Sequence, residues 1–317
     1  MTTLATPVGP LTTTGTDTAS LRAGLLGAGL LVATGVPGLY ARSSGYEAIV
    51  AGIDRLVTEA FADRSPVGLH FPPVLPRSTF ARTSYLESFP DLMGSVHVFH
   101  GGDEEHRELL RRASRGGAWH ELLEPGEVVL APAACHALYP LCAGRLPAAG
   151  GCFEVRAECF RHEPSDDPAR LQAFRMHEVV VLGGPDQVEA HRTDGLARAV
   201  GLLEGLGLEV GVVPATDPFF GRMGKVLAEG QRDEELKLEV VTPIGGAEPT
   251  AVVSGNCHRD HFGGAFGIEQ ANGAPAHSSC VGFGVDRVAL ALLATHGTEP
   301  ARWPAGLWEV VAGTPAW

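Results

Sequence analysis

The stretch from Cys159 to Glu178, CFRHEPSDDPARLQAFRMHE, carries the densest set of chemically competent side chains in the chain. Arg161, His162 and Glu163 close one β-like run, and a polar, proline-containing loop follows. Arg170, Phe174, Arg175, His177 and Glu178 then enter a second run. Guanidinium groups hold phosphate oxygens through forked, charge-assisted hydrogen bonds. An aromatic face can stack on a purine, and a carboxylate can accept from an exocyclic amine. The set therefore suits a nucleoside triphosphate. No GxxxxGK[ST] motif occurs, so ATP bound here would be held without a P-loop. Residues i and i+2 of a strand share a face, which puts Phe174, Met176 and Glu178 on one side and Arg175 and His177 on the other. Surface cross-strand pairs, worth well under about 1 kcal/mol each, would account for a lone Arg-x-Glu. The clustering of acids and arginines around one loop favours a site.

Two further groups invite chemistry. In AHSSCVGFGVDRVALA, a strand ends at Gly282-Phe283-Gly284 and a helix opens with Arg287 in its first turn. The helix macrodipole disfavours a cation there unless an anion offsets it, which makes Arg287 a phosphate candidate. Glycine pairs also occur in strand-to-helix turns for steric reasons alone. Cys135, Glu178 and Cys280 are too far apart in sequence for spacing to nominate them, and free cysteines are ordinarily just buried. If hairpin and glycine turn form one site, however, Glu178 and Cys280 reach the same pocket. Three N/O/S ligands with one open position are what a catalytic zinc requires.

The elements that must position these groups follow from periodicity. Helices are expected at 20–33, 45–63, 103–114, 185–206, 217–230 and 285–296. Strands are expected at 126–131, 151–162, 173–183, 236–242, 250–256 and 276–283. Long antiparallel runs with helices on one side indicate an α+β domain rather than a βαβ repeat. The Thr/Gly/Pro-rich residues 1–19 are expected to be a disordered tail, and 20–317 a single domain.

The hairpin CFRHE…RLQAFRMHE resembles motif 2 of class II aminoacyl-tRNA synthetases, and SSCVGFGVDRVALALL resembles their motif 3. A looser likeness to motif 1 falls near Pro72, Pro73 and Pro76. Within class II, the sequence is similar to the zinc-dependent seryl-tRNA synthetases of methanogens and their truncated homologues, the amino acid:[carrier protein] ligases. The resemblance covers roughly residues 40–300. It implies a mostly antiparallel catalytic domain, a homodimer, and a zinc ion on Cys135, Glu178 and Cys280. It also implies a two-step reaction. A small amino acid, glycine or alanine, is activated by ATP to its adenylate and then passed to the phosphopantetheine thiol of a carrier protein. In that reaction Arg161 and Arg287 would be catalytic, with Arg161 on the α-phosphate. Glu163 would read adenine, Phe174 would stack on it, and Arg170 and Arg287 would clamp the distal phosphates. Glu239 would hold Mg2+. Asn256, His258 and Asp260 are candidates for the amino-acid pocket, and Arg222 and Lys225 for carrier docking. A plain amphipathic helix accounts for the last two equally well.

Bulk properties narrow the alternatives. With 24 Lys and Arg against 37 Asp and Glu, the net charge of −13 argues against a partner held mainly through nucleic-acid phosphates. A tRNA acceptor is therefore disfavoured, and 317 residues leave no room for a tRNA-binding extension. Two alternatives stay open: an enzyme that takes tRNA with a partner's help, and a catalytically inactive regulatory paralogue. The six cysteines form no CxxC pair, which suits a reduced, cytoplasmic protein. The apolar run 21–36 is too short and glycine-rich to span a bilayer.

Overall fold

The computed structural model describes residues 17–215 and 236–313. The expected helix at 217–230, with Arg222 and Lys225, lies outside the described residues, as does most of the expected N-terminal tail. The centre of the fold is a seven-stranded sheet. Its strand order is Gly211–Pro214, Lys237–Thr242, Thr250–Arg259, His277–Gly284, Ala173–Gly183, Gly151–Phe160 and Val67–Phe71. All neighbours are antiparallel except the last pair. The architecture is the α+β arrangement that the alternation of apolar runs implies.

Three helices cover one face of this sheet. Ser43 caps the Ser44–Phe61 helix by accepting from the Tyr46 amide, and Ile49, Ile53, Val57 and Phe61 form its buried stripe. The Pro185–Gly205 helix approaches closely at Gly195, where an added Cβ would lie 2.6 Å from Val281 Cγ2. The Val285–His296 helix is apolar nearly all round and is correspondingly buried. Val179, Val253, Val281 and Phe283 meet these helices in the larger apolar cluster. On the opposite face, Val155, Val180 and Cys280 belong to a second cluster with Leu138 and Phe262. This face carries the chemistry. A three-stranded sheet of Val74–Pro76, Ser95–Val98 and Glu124–Leu130 has its own small core around Leu75 and Phe80.

The edge strands Val67–Phe71 and Gly211–Pro214 are not among those expected from the sequence, and the first helix also departs from expectation. The helix predicted over 20–33 spans Thr18–Gly27, with Asp17 accepting from the Ser20 amide as its cap. Gly29 then takes a positive φ of 65°, and Leu31–Ala33 becomes a strand paired with Tyr40–Arg42. The glycines end the helix because they permit a left-handed turn at no steric cost. No helix among the described residues is long and apolar enough to cross a membrane.

The helix-side face also holds two buried ionic groups. Asp286 is 1% exposed, accepts from the Arg175 amide at 2.7 Å, and takes a forked pair from the Arg175 guanidinium. Arg42 approaches the same carboxylate at 3.4 Å. This ties the first turn of the Val285–His296 helix to the hairpin. Nearby, His177 Nδ1 lies 2.9 Å from Asp54 and Nε2 lies 3.2 Å from Glu154.

Burial alone would lower the His177 pKa, but the two carboxylates outweigh it and raise the value above the ordinary one. The His177 imidazole in turn holds Glu154 down at about 2. The histidine's contribution is complete below its unfolded pKa of about 6.5 and is lost as pH rises through the folded value. The glutamate's is complete above its unfolded pKa of about 4.3 and is lost toward the folded one. His177→Gln is therefore expected to destabilise more at pH 5.5 than at pH 8.5 in urea melts. Equal losses at both pH values would rule the ion cluster out.

Candidate active site

Strand register brings the functional side chains together. Cys280 stands opposite Val180 on one neighbour and Asn256 on the other, while Glu178 stands opposite Gly282. Since alternate residues share a face, Glu178, Cys280 and Asn256 all project to the side away from the three helices. Cys135 arrives from a 3-10 turn, Cys135–Ala137, packed over that side. The ligand atoms of Cys135, Glu178 and Cys280 lie within 4.8 Å of one another, and all three residues are buried. Gly282 makes room for them. A Cβ there would sit 3.1 Å from Met176 Cε and 3.3 Å from Glu178 Cγ, crowding the carboxylate.

The electrostatics of this trio call for a cation. Burial pushes the Glu178 carboxyl up to about 7, and the Cys280 sulfur adds repulsion. Glu178 Oε1 accepts from the Ala134 amide at 3.1 Å, but buried Oε2 has no hydrogen-bond partner. The two thiols share a hydrogen bond that raises Cys135 and lowers Cys280, so Cys280 is the preferred thiolate. A buried cluster of a thiolate, a second sulfur and an orphaned carboxylate oxygen fits a thiophilic divalent cation.

Around this trio opens a cavity of about 760 Å³, within the usual range for small-molecule sites. Arg161, Glu163, Phe174, Glu239 and Arg287 line it, together with Asn256 and His258. Arg161 donates to the Pro132 carbonyl and lies 5.3 Å over the Phe174 ring. Arg287 is fixed by two bonds, to the carbonyls of Ala169 and Ala251, and burial lowers its pKa from the ordinary value. It stands where the main cavity meets a second one of about 470 Å³, which Arg170 and Glu239 also line. Arg170 is exposed and pairs with Glu163 at 3.7 Å. Asp260 stands apart. It is exposed at the start of the short His261–Phe266 helix and does not line the cavity.

Sequence reasoning passed over several residues here. Lys237 lines the cavity and pairs with Glu239 at 3.1 Å. His136 lines it too, held neutral because burial lowers its pKa to about 3. Asp286, the buried counterion of Arg175, adjoins Arg287 in the Val-Asp-Arg triplet, and that adjacency was the only signal available.

Comparison with known proteins decides the family. Two proteins of Bradyrhizobium diazoefficiens, amino acid–[acyl-carrier-protein] ligases 1 and 2, are each 44% identical to this chain, over 284 and 280 residues. The alignments cover 89% and 87% of this chain and 87% and 84% of theirs. The chain belongs to this ligase family. It is also 31% identical over 270 residues to the type-2 serine–tRNA ligase of Methanopyrus kandleri, matching 75% of this chain but only half of that enzyme. Among solved structures, M. kandleri SerRS in complex with an A. aeolicus tRNASec superposes with a TM-score of 0.80. The identity is 23%, and the match covers 98% of this chain and 63% of that one. That likeness establishes the class II synthetase fold. No family model matches the chain.

The trio generates a direct prediction. Adding Zn2+ to metal-stripped ligase is expected to raise Tm, with about 2.7 kcal/mol gained at a hundredfold excess over Kd. Cys280→Ala is expected to abolish the rise. A variant that keeps the full zinc response would remove Cys280 from the ligand set.

Proposed function

We propose that this ligase activates a small amino acid with ATP and transfers it to the phosphopantetheine thiol of a carrier protein. Kinship with the two Bradyrhizobium ligases supports the reaction class. The convergence of Cys135, Glu178 and Cys280 at the floor of an arginine-rimmed cavity is the observation that carries the reading. Zinc suits this donor set, and when bound it would act as a Lewis acid anchoring the substrate amine.

The chain's own groups supply the rest. Arg161, stiffened by the Pro132 carbonyl and the Phe174 ring, faces the α-phosphate and the reacting carboxylate. One carboxylate oxygen attacks the α-phosphorus, the bond to pyrophosphate breaks, and Arg161 offsets the charge that accumulates between them. Phe174 and Glu163 hold the adenine. Arg287 and Arg170, at the junction with the second cavity and on its rim, receive the β- and γ-phosphates. Glu239 on the Lys237–Thr242 strand would hold Mg2+. In the second step the thiol sulfur attacks the aminoacyl carbonyl carbon and AMP leaves, giving a thioester. No protein nucleophile is needed. Burial raises the pKa of Cys159 and, with it, disfavours its thiolate.

Glycine and alanine are the expected substrates, with Met176 and Phe262 lining the cavity beside the metal trio. Amino-acid-dependent ATP–pyrophosphate exchange, run across all amino acids, tests activation. Arg161→Ala is expected to reduce the rate by about 10²–10³-fold. Labelled transfer to carrier protein and to tRNA, measured side by side, tests the acceptor. Transfer to tRNA alone would overturn the proposal, and absence of exchange with every amino acid would favour an inactive paralogue.

A further inference from the structure

The strand that supplies Asn256 is irregular where it passes the metal trio. Cys257 pairs with Ser279, yet the next residue of the neighbouring strand, Ser278, pairs with Arg259 rather than His258. His258 is therefore the extra residue of a β-bulge. Directly after it, Arg259 adopts a positive φ of 52° without being glycine. Such a conformation is strained for a residue with a Cβ, and it persists only where the surroundings impose it. Bulges beside active sites re-aim a side chain.

Here the re-aimed side chain is His258. Its Nε2 lies 3.8 Å from Cys280 Sγ and its Nδ1 lies 3.0 Å from Ser278 Oγ. The Phe262 ring packs against the imidazole edge-on, with centroids 5.0 Å apart, and restrains its tilt. A second donor reaches the same sulfur: Asn256 Nδ2 is 3.5 Å from Cys280 Sγ. His258 itself is not one of the three groups whose ligand atoms converge.

Hydrogen-bond bookkeeping assigns the protons. A cysteine sulfur bound to a cation carries no proton and can only accept. The hydrogen must then sit on His258 Nε2, and Nδ1 must accept from the Ser278 hydroxyl. Ser278 is fully buried, so its hydroxyl is shielded from bulk solvent. We propose that His258 is a positioning residue for the metal site: it donates Nε2–H to the Cys280 thiolate, its tautomer is set by Ser278, and the bulge at 258–259 exists to aim it. This inference rests on the metal reading of Cys135, Glu178 and Cys280. It adds that Cys280 is the electronically tuned sulfur, because two side-chain N–H donors reach it and withdraw charge. Less charge donated by sulfur leaves the cation a stronger Lewis acid.

The test uses Co2+ as a spectroscopic probe in the full-length chain. Cobalt affinity is measured by competition with a chelator, and the thiolate-to-cobalt charge-transfer band is recorded. His258→Ala is expected to weaken affinity by about tenfold or more, the usual effect of losing an outer hydrogen bond. It should also move the band to longer wavelength, because a sulfur lone pair without its N–H donor lies higher in energy. His258→Gln, which restores an N–H at similar reach, is expected to recover both. Ser278→Ala, which frees the tautomer without touching the packing of the ring, should shift the band in the same direction by less. It also keeps the test intact if His258→Ala does not fold. Wild-type affinity and an unmoved band in His258→Ala or Ser278→Ala would overturn the proposal, as would a glutamine variant no better than alanine. A wild-type chain that binds neither Co2+ nor Zn2+ would instead remove the metal site itself, and this role with it.

Discussion

Everything chemical in this ligase depends on one antiparallel pairing, that of Ala173–Gly183 with His277–Gly284. Its register sets Glu178 against Gly282 and Val180 against Cys280. A slip of one residue would send Glu178 and Cys280 to opposite faces, because side chains alternate with a period of two. The register is held from the other face. Val179 and Val281 pair there and are fully buried against the helices, so the same slip would also expose the core. Hydrophobic burial on one side thus enforces ligand geometry on the other.

The buried Asp286–Arg175 pair extends this logic from sheet to helix. Arg175 belongs to the hairpin and Asp286 to the first turn of the next helix, so their fork fixes the angle at which that helix leaves the sheet. Arg287 follows Asp286 directly, and its own bonds to Ala169 and Ala251 complete the placement. A phosphate-binding arginine is useful only if its guanidinium waits in position. Here part of that preorganisation comes from the neighbouring residue, whose carboxylate is held by Arg175. A buried ion pair is weak evidence for stability, since desolvation offsets much of its attraction, but it specifies orientation well.

The two faces of the hairpin divide the work of charge. Toward the helices, His177 and Arg156 offset the charges of Asp54 and Glu154. Toward the cavity, two sulfurs and a carboxylate are left short of positive charge within the chain, and the arginines stand at a distance around the rim. That imbalance suits the floor of the cavity to a cation and the rim to an anion. Both are what a reaction joining a zwitterionic amino acid to a nucleotide needs.

Local pattern determined a great deal. The hairpin strand 173–183 and the helix 285–296 are where periodicity put them, since long apolar runs bounded by glycine and proline admit few alternatives. The alternation of Phe174, Met176 and Glu178 against Arg175 and His177 was legible for the same reason. The motifs carried by Arg161 and Arg287 were enough to suggest an ATP enzyme of the class II kind. Three features were decided by the tertiary structure alone. The convergence of Cys135 with Glu178 and Cys280 spans a separation that no local rule addresses. The break of the first helix at Gly27–Gly29 depends on a partner strand for Leu31–Ala33. Asp260 and His258, two residues apart, went different ways because a bulge between strands re-aims one side chain and leaves the other in solvent. Sequence specifies which groups are available and which face of an element they share. Which of those faces meet is settled by packing, where the burial of distant apolar residues outweighs any local preference.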